Sequence, residues 1–194
     1  MSHHFFAYMA RMRNIRRWGL MRNTFPENDQ EHALQAAMIA QALGIIGNAR
    51  YGAAYDPGQI AALGMFHDAG EVITGDIATP IKHFNPEIGQ AFDRLEAMAR
   101  DKLLQMLPED LRPHYAAYLH PDQTSPEWKI IKAADRICAY IKCVEEVKAG
   151  NGEFRKAKEV ILQSIQALEA EMPEVRDFMR EFAESFSMSL DELS

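Results

Sequence analysis

The chain has little cysteine, no long apolar run, and no acid in its first 26 residues. Cys138 and Cys143 are the only cysteines. Their spacing of five neither shares a helix face nor makes a C-x-x-C redox pair. A disulfide scaffold is therefore excluded, and a chain of 194 residues can bury a core without one. Both cysteines are expected to be buried thiols in a reducing compartment. The longest uncharged stretch, Ala33 to Ala49, is interrupted by Gln35, Gln41, Gly44 and Asn48. It reads as a buried helix rather than a membrane span. The start, Met1 to Phe6, has neither a basic n-region nor an A-x-A site, so no secretory signal is expected. A soluble cytoplasmic location with no membrane partner follows. Also missing are a G-x-x-x-x-G-K-[ST] phosphate loop, a G-x-S-x-G elbow and a dinucleotide fingerprint. No segment alternates like a strand between hairpin turns, and no repeat or low-complexity tract occurs.

What charge there is lies unevenly. The net charge of −7 argues against a nucleic-acid polymer as partner. Yet Arg11, Arg13, Arg16, Arg17 and Arg22 all fall within the acid-free start. Such a cluster suits either a local anion site or a solvated helix face that complements an acidic body. The second reading is preferred for most of them, with Arg17 set apart. The hydrophobic fraction of 47% is ordinary for a globular protein, and the length predicts one domain over residues 1–194.

The chain reads as helix almost throughout. A short amphipathic helix is expected over Phe5 to Ile15, broken by Trp18-Gly19. Asn28 caps the next, with Glu31 completing a capping box, and that helix runs to about Ala49. Asp56-Pro57, Asn85-Pro86 and Ser125-Pro126 each pair a cap with proline in the first turn. The helices they start are predicted to reach about His67, Met106 and Lys148. Pro108 to Leu119, Glu153 to Glu171 and Pro173 to Phe186 supply the rest. Val72 to Phe84 is predicted as the longest irregular stretch, a polar loop where binding groups belong. The predicted fold class is all-α, a single bundle of roughly seven or eight helices.

The candidate chemistry centres on His67-Asp68, which ends the apolar run Ile60 to Phe66. Adjacent buried imidazole and carboxylate groups are costly unless a cation satisfies them. His32 upstream and Asp135 downstream each stand among apolar neighbours on a separate predicted helix. Together the four offer two imidazoles and two carboxylates, a set suited to Mn, Co, Fe or Zn rather than Ca or Mg. Arg136, adjacent to Asp135, points elsewhere on a helix and is a poor partner for it. Glu71 lies four residues after His67 and three after Asp68. If the helix continues, one face presents all three, and Glu71 is placed as a general base. The alternative for Glu71 is a solvent-facing acid in the first turn of a new helix. Asp76 reads equally as an Asx turn or as a group that orients water or substrate. Arg17 suits a phosphate, while Trp18 on local sequence anchors its loop in the core. His83, His114 and His120 could ligate a second metal but read better as surface or capping residues, and His3 and His4 as unstructured.

The order His32, His67-Asp68, Asp135 resembles the HD-domain metal phosphohydrolases. The stretches Arg17-Trp18, Leu20 to Asn23, Glu31-His32, His67 to Glu71, Thr74 to Lys82, Ala134-Asp135 and Ser187 to Glu192 narrow the resemblance to the YfbR-type 5′-deoxynucleotidases, over essentially the whole chain. The resemblance implies an HD-domain bundle that hydrolyses deoxyribonucleoside 5′-monophosphates to deoxynucleoside and phosphate. It implies one divalent ion, with Co2+ or Mn2+ effective and Zn2+ or Fe2+ as alternatives, and a homodimer. It makes His32, His67, Asp68 and Asp135 the metal ligands and Glu71 and Asp76 catalytic. It makes Arg17 a phosphate contact and Trp18 a substrate-side residue, with Asp76, Ile77, Ala78 and Thr79 against the nucleotide. Ala78 departs from the proline that this loop often carries, which bears on loop rigidity more than on chemistry. The rival readings are an HD-type dNTP or cyclic-nucleotide phosphohydrolase, and a non-catalytic nucleotide sensor.

Overall fold

A computed structural model describes residues 3–82 and 84–194. Its α-helical segments are α1 (Phe5–Met9), α2 (Asp29–Tyr51), α3 (Pro57–Phe66), α4 (Glu71–Thr74), α5 (Thr79–Lys82), α6 (Pro86–Gln105), α7 (Arg112–Leu119), α8 (Pro126–Lys148), α9 (Arg155–Glu171) and α10 (Pro173–Phe182). No strand occurs among the described residues, only an isolated antiparallel bridge between Arg16 and Asn28. The all-α expectation therefore holds. No helix among these residues is long and apolar enough to cross a membrane.

The helix starts follow the capping chemistry. The Asn28 side chain accepts from the backbone N–H groups of Gln30 and Glu31, and Glu31 returns the bond to the Asn28 N–H. Asp56, Asn85 and Ser125 cap α3, α6 and α8 ahead of Pro57, Pro86 and Pro126. At its far end α2 runs two residues past Ala49 and stops at Gly52, whose φ of 68° is left-handed, a conformation that glycine adopts without steric cost.

Four expected element bounds need correction. The last helix, expected to Phe186, ends as α at Phe182 and is followed by a 3-10 turn over Glu184–Ser187. The first helix is α only to Met9 and continues as a 3-10 turn over Ala10–Asn14. The segment expected from Pro108 begins its α-helix only at Arg112. The predicted loop from Val72 to Phe84 contains two single-turn helices, α4 and α5, leaving 75–78 irregular between them. Gly75, at φ 74°, ends α4, and Thr79-Pro80 restarts a turn because proline is welcome at a helix start.

The main core lies where α2, α3, α8, α9 and α10 meet, around Leu43, Ile60, Ile130, Ile137, Ile141, Phe154, Ile165 and Val175. Small residues bring α3 unusually close to α2. A Cβ placed on Gly64 would stand 2.7 Å from the Ala37 Cα. A second, aromatic-rich cluster joins α1, the end of α3, α6 and α7 through Phe5, Phe66, Leu103, Leu107, Tyr115 and Leu119. The site described next sits between these clusters, where the end of α3 passes the start of α2. Cys138 and Cys143 are buried free thiols on α8.

Candidate metal centre

Three long helices aim four side chains at one point. His32 projects from the second turn of α2, His67 and Asp68 follow the last residue of α3, and Asp135 lies mid-way along α8. The Nε2 atoms of His32 and His67 are 3.3 Å apart. Asp68 Oδ2 stands 3.1 Å from His67 Nε2 and 3.5 Å from His32 Nε2, and Asp135 Oδ1 is 3.2 Å from His32 Nε2. Atoms of His32, His67 and Asp135 all fall within 4.8 Å of one another. His67 Nδ1 meets the Gly64 carbonyl at 2.7 Å, which assigns the proton to Nδ1 and leaves the Nε2 lone pair facing inward. Inward lone pairs and two carboxylates repel one another unless a cation lies among them. The donor set fits a divalent transition metal, with two nitrogens to favour it over Ca or Mg.

The polypeptide reaches Glu71 by a route different from the continuous helix that its spacing allows. Residues 67–70 form a turn, and Glu71 opens α4. It is the first residue of a new helix, yet it is only 7% exposed and its Oε2 lacks a hydrogen-bond partner among the described residues. Burial, and then the charges of Asp68, Asp29 and Asp76, push its carboxyl up to about 10, against the opposing charge of Arg17. Lys82 Nζ is 4.0 Å from Glu71 Oε1 and 2.9 Å from Glu96 Oε1.

Arg17 enters from the segment before α2. Its Nη1 donates to Asp68 Oδ2 at 3.1 Å, and Glu27, Asp29 and Asp135 lie within 3.4, 3.8 and 4.0 Å. Burial alone would lower its pKa, but these carboxylates outweigh it and keep the guanidinium charged. Trp18 holds a left-handed backbone, φ 59°, a conformation that costs a non-glycine residue roughly 1 kcal/mol. Its ring packs against Phe154 at 5.4 Å and its Nε1 donates to Glu27 at 3.0 Å. Trp18 thus anchors its loop, and the anchored turn points Arg17 inward.

Asp76 and Ile77 are half-buried beside α4, as is Ala78, and the Asp76 charge reaches both Asp29 and Glu71. Thr79 begins α5. His120 pairs with Asp101 at 3.0 Å, away from the centre, His114 lies on α7, and His83 falls outside the described residues.

One residue was missed by the sequence reading. Asp29, at the start of α2, is fully buried, and neither of its oxygens has a hydrogen-bond partner among the described residues. Burial, with Asp68 and Asp76, raises its carboxyl to about 7, while Glu71 and Arg17 pull the other way. The signal was available: Asp29 precedes His32 by three, which places both on one helix face.

The bundle, with its paired His67-Asp68 at the end of a helix, has the architecture of the HD-domain phosphohydrolases. A crystal structure of an HD-domain phosphohydrolase from Listeria innocua superimposes with a TM-score of 0.82 at 22% identity, covering 94% of this chain and 88% of that one. A cyanophage S-2L HD phosphohydrolase, solved bound to dA and one catalytic Zn2+ ion, gives a TM-score of 0.66 at 18% identity, covering 94% and 96%. At these identities the likeness is one of fold. The sequence narrows it: residues 4–186 match the family model described as 5′-deoxynucleotidase YfbR-like. A 5′-deoxynucleotidase of Vibrio parahaemolyticus is 48% identical over 192 residues, 98% of each chain. The chain belongs to the YfbR-like 5′-deoxynucleotidase family.

Proposed function

We propose that this protein is a metal-dependent 5′-deoxynucleotidase that hydrolyses deoxyribonucleoside 5′-monophosphates through His32, His67, Asp68, Asp135, Glu71, Asp76 and Arg17. The observation that carries the reading is the convergence of two imidazoles and two carboxylates beside a buried acid and a half-buried arginine, in a chain of this family. His32, His67, Asp68 and Asp135 hold the ion. Lewis acidity toward the phosphoryl group and a lowered pKa for water are the chemistry that a bound divalent ion supplies. Glu71, buried at the start of α4 with its backbone N–H bonded to the Asp68 carbonyl, accepts the proton of the attacking water. Asp76 orients the water or the substrate from the adjoining turn. Arg17 turns its fork from Asp68 to the phosphate and offsets charge as the P–O bond breaks. Ile77, Ala78 and Thr79 line the nucleotide, and Trp18, fixed by Phe154 and Glu27, is the wall that crowds a ribose 2′-hydroxyl.

The mixed nitrogen and oxygen donors support Co2+ or Mn2+, and the zinc of the cyanophage fold relative keeps Zn2+ as an alternative. A homodimer is supported by the exposed apolar face of α2, with Leu34 57%, Met38 57% and Ile45 50% exposed. Buried free thiols support a reducing, cytoplasmic setting. One family model over 4–186 supports a single domain across 1–194.

The test is phosphate release from a deoxynucleoside monophosphate and its ribo counterpart, using metal-stripped protein with Co2+ or Mn2+ restored. Release from the deoxy substrate, dependent on metal and lost in Glu71→Ala, is expected. Equal cleavage of the ribonucleotide refutes the wall role of Trp18. Tripolyphosphate or a linear nucleotide as product would point to the dNTP or cyclic-nucleotide reading, and tight binding without turnover to the sensor.

A further inference from the structure

The segment from Gly75 to Lys82 carries Asp76 and the residues assigned to the nucleotide, yet little buried structure holds it. None of residues 75–78 is fully buried, their backbone is irregular, and Ile81 is 43% exposed. A segment with few buried apolar contacts sits at the low end of local stability. Among the described residues a single side-chain hydrogen bond ties it to another helix, from Lys82 Nζ to Glu96 Oε1 on α6 at 2.9 Å. The two side chains are only 30% and 28% exposed, so the pair is better shielded than an open surface pair, which contributes little. Glu96 is itself held. Its Oε2 lies 3.6 Å from Arg100 Nη1, one turn further along α6. Arg100 in turn lies against the turn that follows α3, since a Cβ placed on Gly70 would meet Arg100 Cγ and the Glu96 carbonyl oxygen, both at 3.7 Å. A chain of contacts thus runs from the turn bearing His67 and Asp68, through α6, to Lys82 on α5.

We propose that Glu96 is a positioning residue for the hydrolysis: by gripping Lys82 it latches residues 75–82 to α6 and so fixes Asp76 and its neighbours in place for the substrate. This rests on the reading of that segment as nucleotide-binding. Lys82 has no equivalent hold on the other side, because Glu71 Oε1 is 4.0 Å away, beyond hydrogen-bond reach. Without the latch the segment spends only part of its time in the competent position. Apparent affinity for the substrate falls by that fraction. Bound substrate reselects the competent position, so turnover at saturation is spared. A loss carried by KM rather than kcat therefore marks a latch, whereas a lost reacting group would lower kcat.

The test has two readouts on the full-length protein: phosphate release from a deoxynucleoside monophosphate with metal loaded, and hydrogen exchange of the amides in 75–82 without metal. Glu96→Ala and Lys82→Met remove the latch from either side. Each should raise KM about fivefold with kcat within about twofold. Each should also speed exchange in 75–82 about fivefold, with exchange in α2 and α8 and the bound metal unchanged. The double variant should lose no more than about twofold beyond either single one. Lys82→Arg, which keeps a donor, should stay within about twofold of the parent, and Glu96→Gln, which keeps an acceptor, should fall between the parent and Glu96→Ala. If Glu96→Ala fails to fold, Lys82→Met and its Lys82→Arg rescue carry the comparison. Additive losses overturn the proposal, as does an unchanged KM, or a raised KM without faster exchange. A fall in kcat for Lys82→Met that Glu96→Ala does not share also overturns it and makes Lys82 a group acting on Glu71 or on the phosphate itself. A parent protein that releases no phosphate defeats the deoxynucleotidase reading. An active parent beside variants that match it in KM and exchange defeats only the role of Glu96.

Discussion

Gly64→Ala is the substitution that best tests how the fold builds the site. Gly64 lies in α3 where it crosses α2, and its carbonyl accepts from His67 Nδ1. A Cβ there would lie 2.7 Å from the Ala37 Cα, 3.1 Å from its nitrogen and 3.2 Å from its Cβ. The first two are backbone atoms, which cannot swing aside, so the helices must part by about 1 Å to restore ordinary contact near 3.5–4.0 Å. Overpacking of this kind costs roughly 3 kcal/mol at its upper range. Replacing a helical glycine by alanine returns about 1 kcal/mol of helix propensity. The net is a loss of about 2 kcal/mol, or a fall in Tm of roughly 4–8 °C for a chain of this size. His32 rides on α2 and His67 on the end of α3, so parting the helices also spreads the two Nε2 atoms. Loss of that geometry should weaken metal affinity by about tenfold or more. Thermal melts of the metal-stripped protein and calorimetric titration with Mn2+ would measure both. A variant as stable as the parent, with unchanged metal affinity, would refute the close-crossing argument.

Two further outcomes follow from buried charge elsewhere. Lys142 and Glu146 are almost wholly buried, and Glu146 also accepts from the backbone N–H groups of Thr24 and Phe25 and from Asn151. The bond from Lys142 first, and then those from Phe25, Thr24 and Asn151, hold its carboxyl at about 2 against the effect of burial. Glu146→Gln should cost about 3 kcal/mol in a chemical-denaturation curve, since it leaves a buried ammonium without its counter-charge, and an unchanged midpoint would contradict this. In the metal-stripped protein the raised carboxyls of Asp29 and Glu71, at about 7 and about 10, work in the opposite direction. Protonated acids are favoured in the folded state, so their stability is fully present below about pH 4 and is lost as pH rises through those two values. One such proton held over three pH units is worth at most about 4 kcal/mol. Melts from pH 6 to 9 should therefore show falling stability, with a shallower slope in Asp29→Asn. A flat profile would mean that the two carboxyls are not protonated in the fold.

How far the sequence could be read depended on whether the deciding contacts were local. The helix starts at Asn28, Asp56, Asn85 and Ser125 were legible because a cap is settled within four residues. The His32, His67-Asp68 and Asp135 set was legible because polar ligands stand out against apolar neighbours. The region after Asp68 was less so. Two single-turn helices have too little periodicity to register, and Gly75 and Pro80 signal breaks rather than the turns between them. Asp29 went unseen because a capping box explains an acid in the first turn so well. Only the fold, by gathering Arg17, Asp68 and Asp76 around the start of α2, turns a helix-dipole acid into a buried one.

The way Arg17 is placed ties these levels together. Residues 15–17 pair with 27–29 through Arg17 N–H to Glu27 O, Asp29 N–H to Ile15 O and the Arg16–Asn28 bridge. That short ladder sets Arg17 beside the first turn of α2, where Asp29 and His32 begin. The loop it encloses is clamped to α8, because Lys142 donates to the Phe25 carbonyl while Glu146 accepts from Thr24 and Phe25. Asp135 and Glu146 are eleven residues apart on that same helix, close to three full turns, so they share a face. One side of α8 therefore carries Asp135 of the candidate metal centre at one level and the tether of the arginine loop about 16 Å further along. Motion of the loop relative to His32 and Asp135 would require Lys142 and Glu146 to part in the interior, and the cost of unpairing buried charge makes that rare. The backbone that carries Arg17 is thus held in place relative to His32 and Asp135, so the Arg17 guanidinium, with Glu71 and Asp76 on the short elements between α3 and α6, is the part of the candidate site left to adjust.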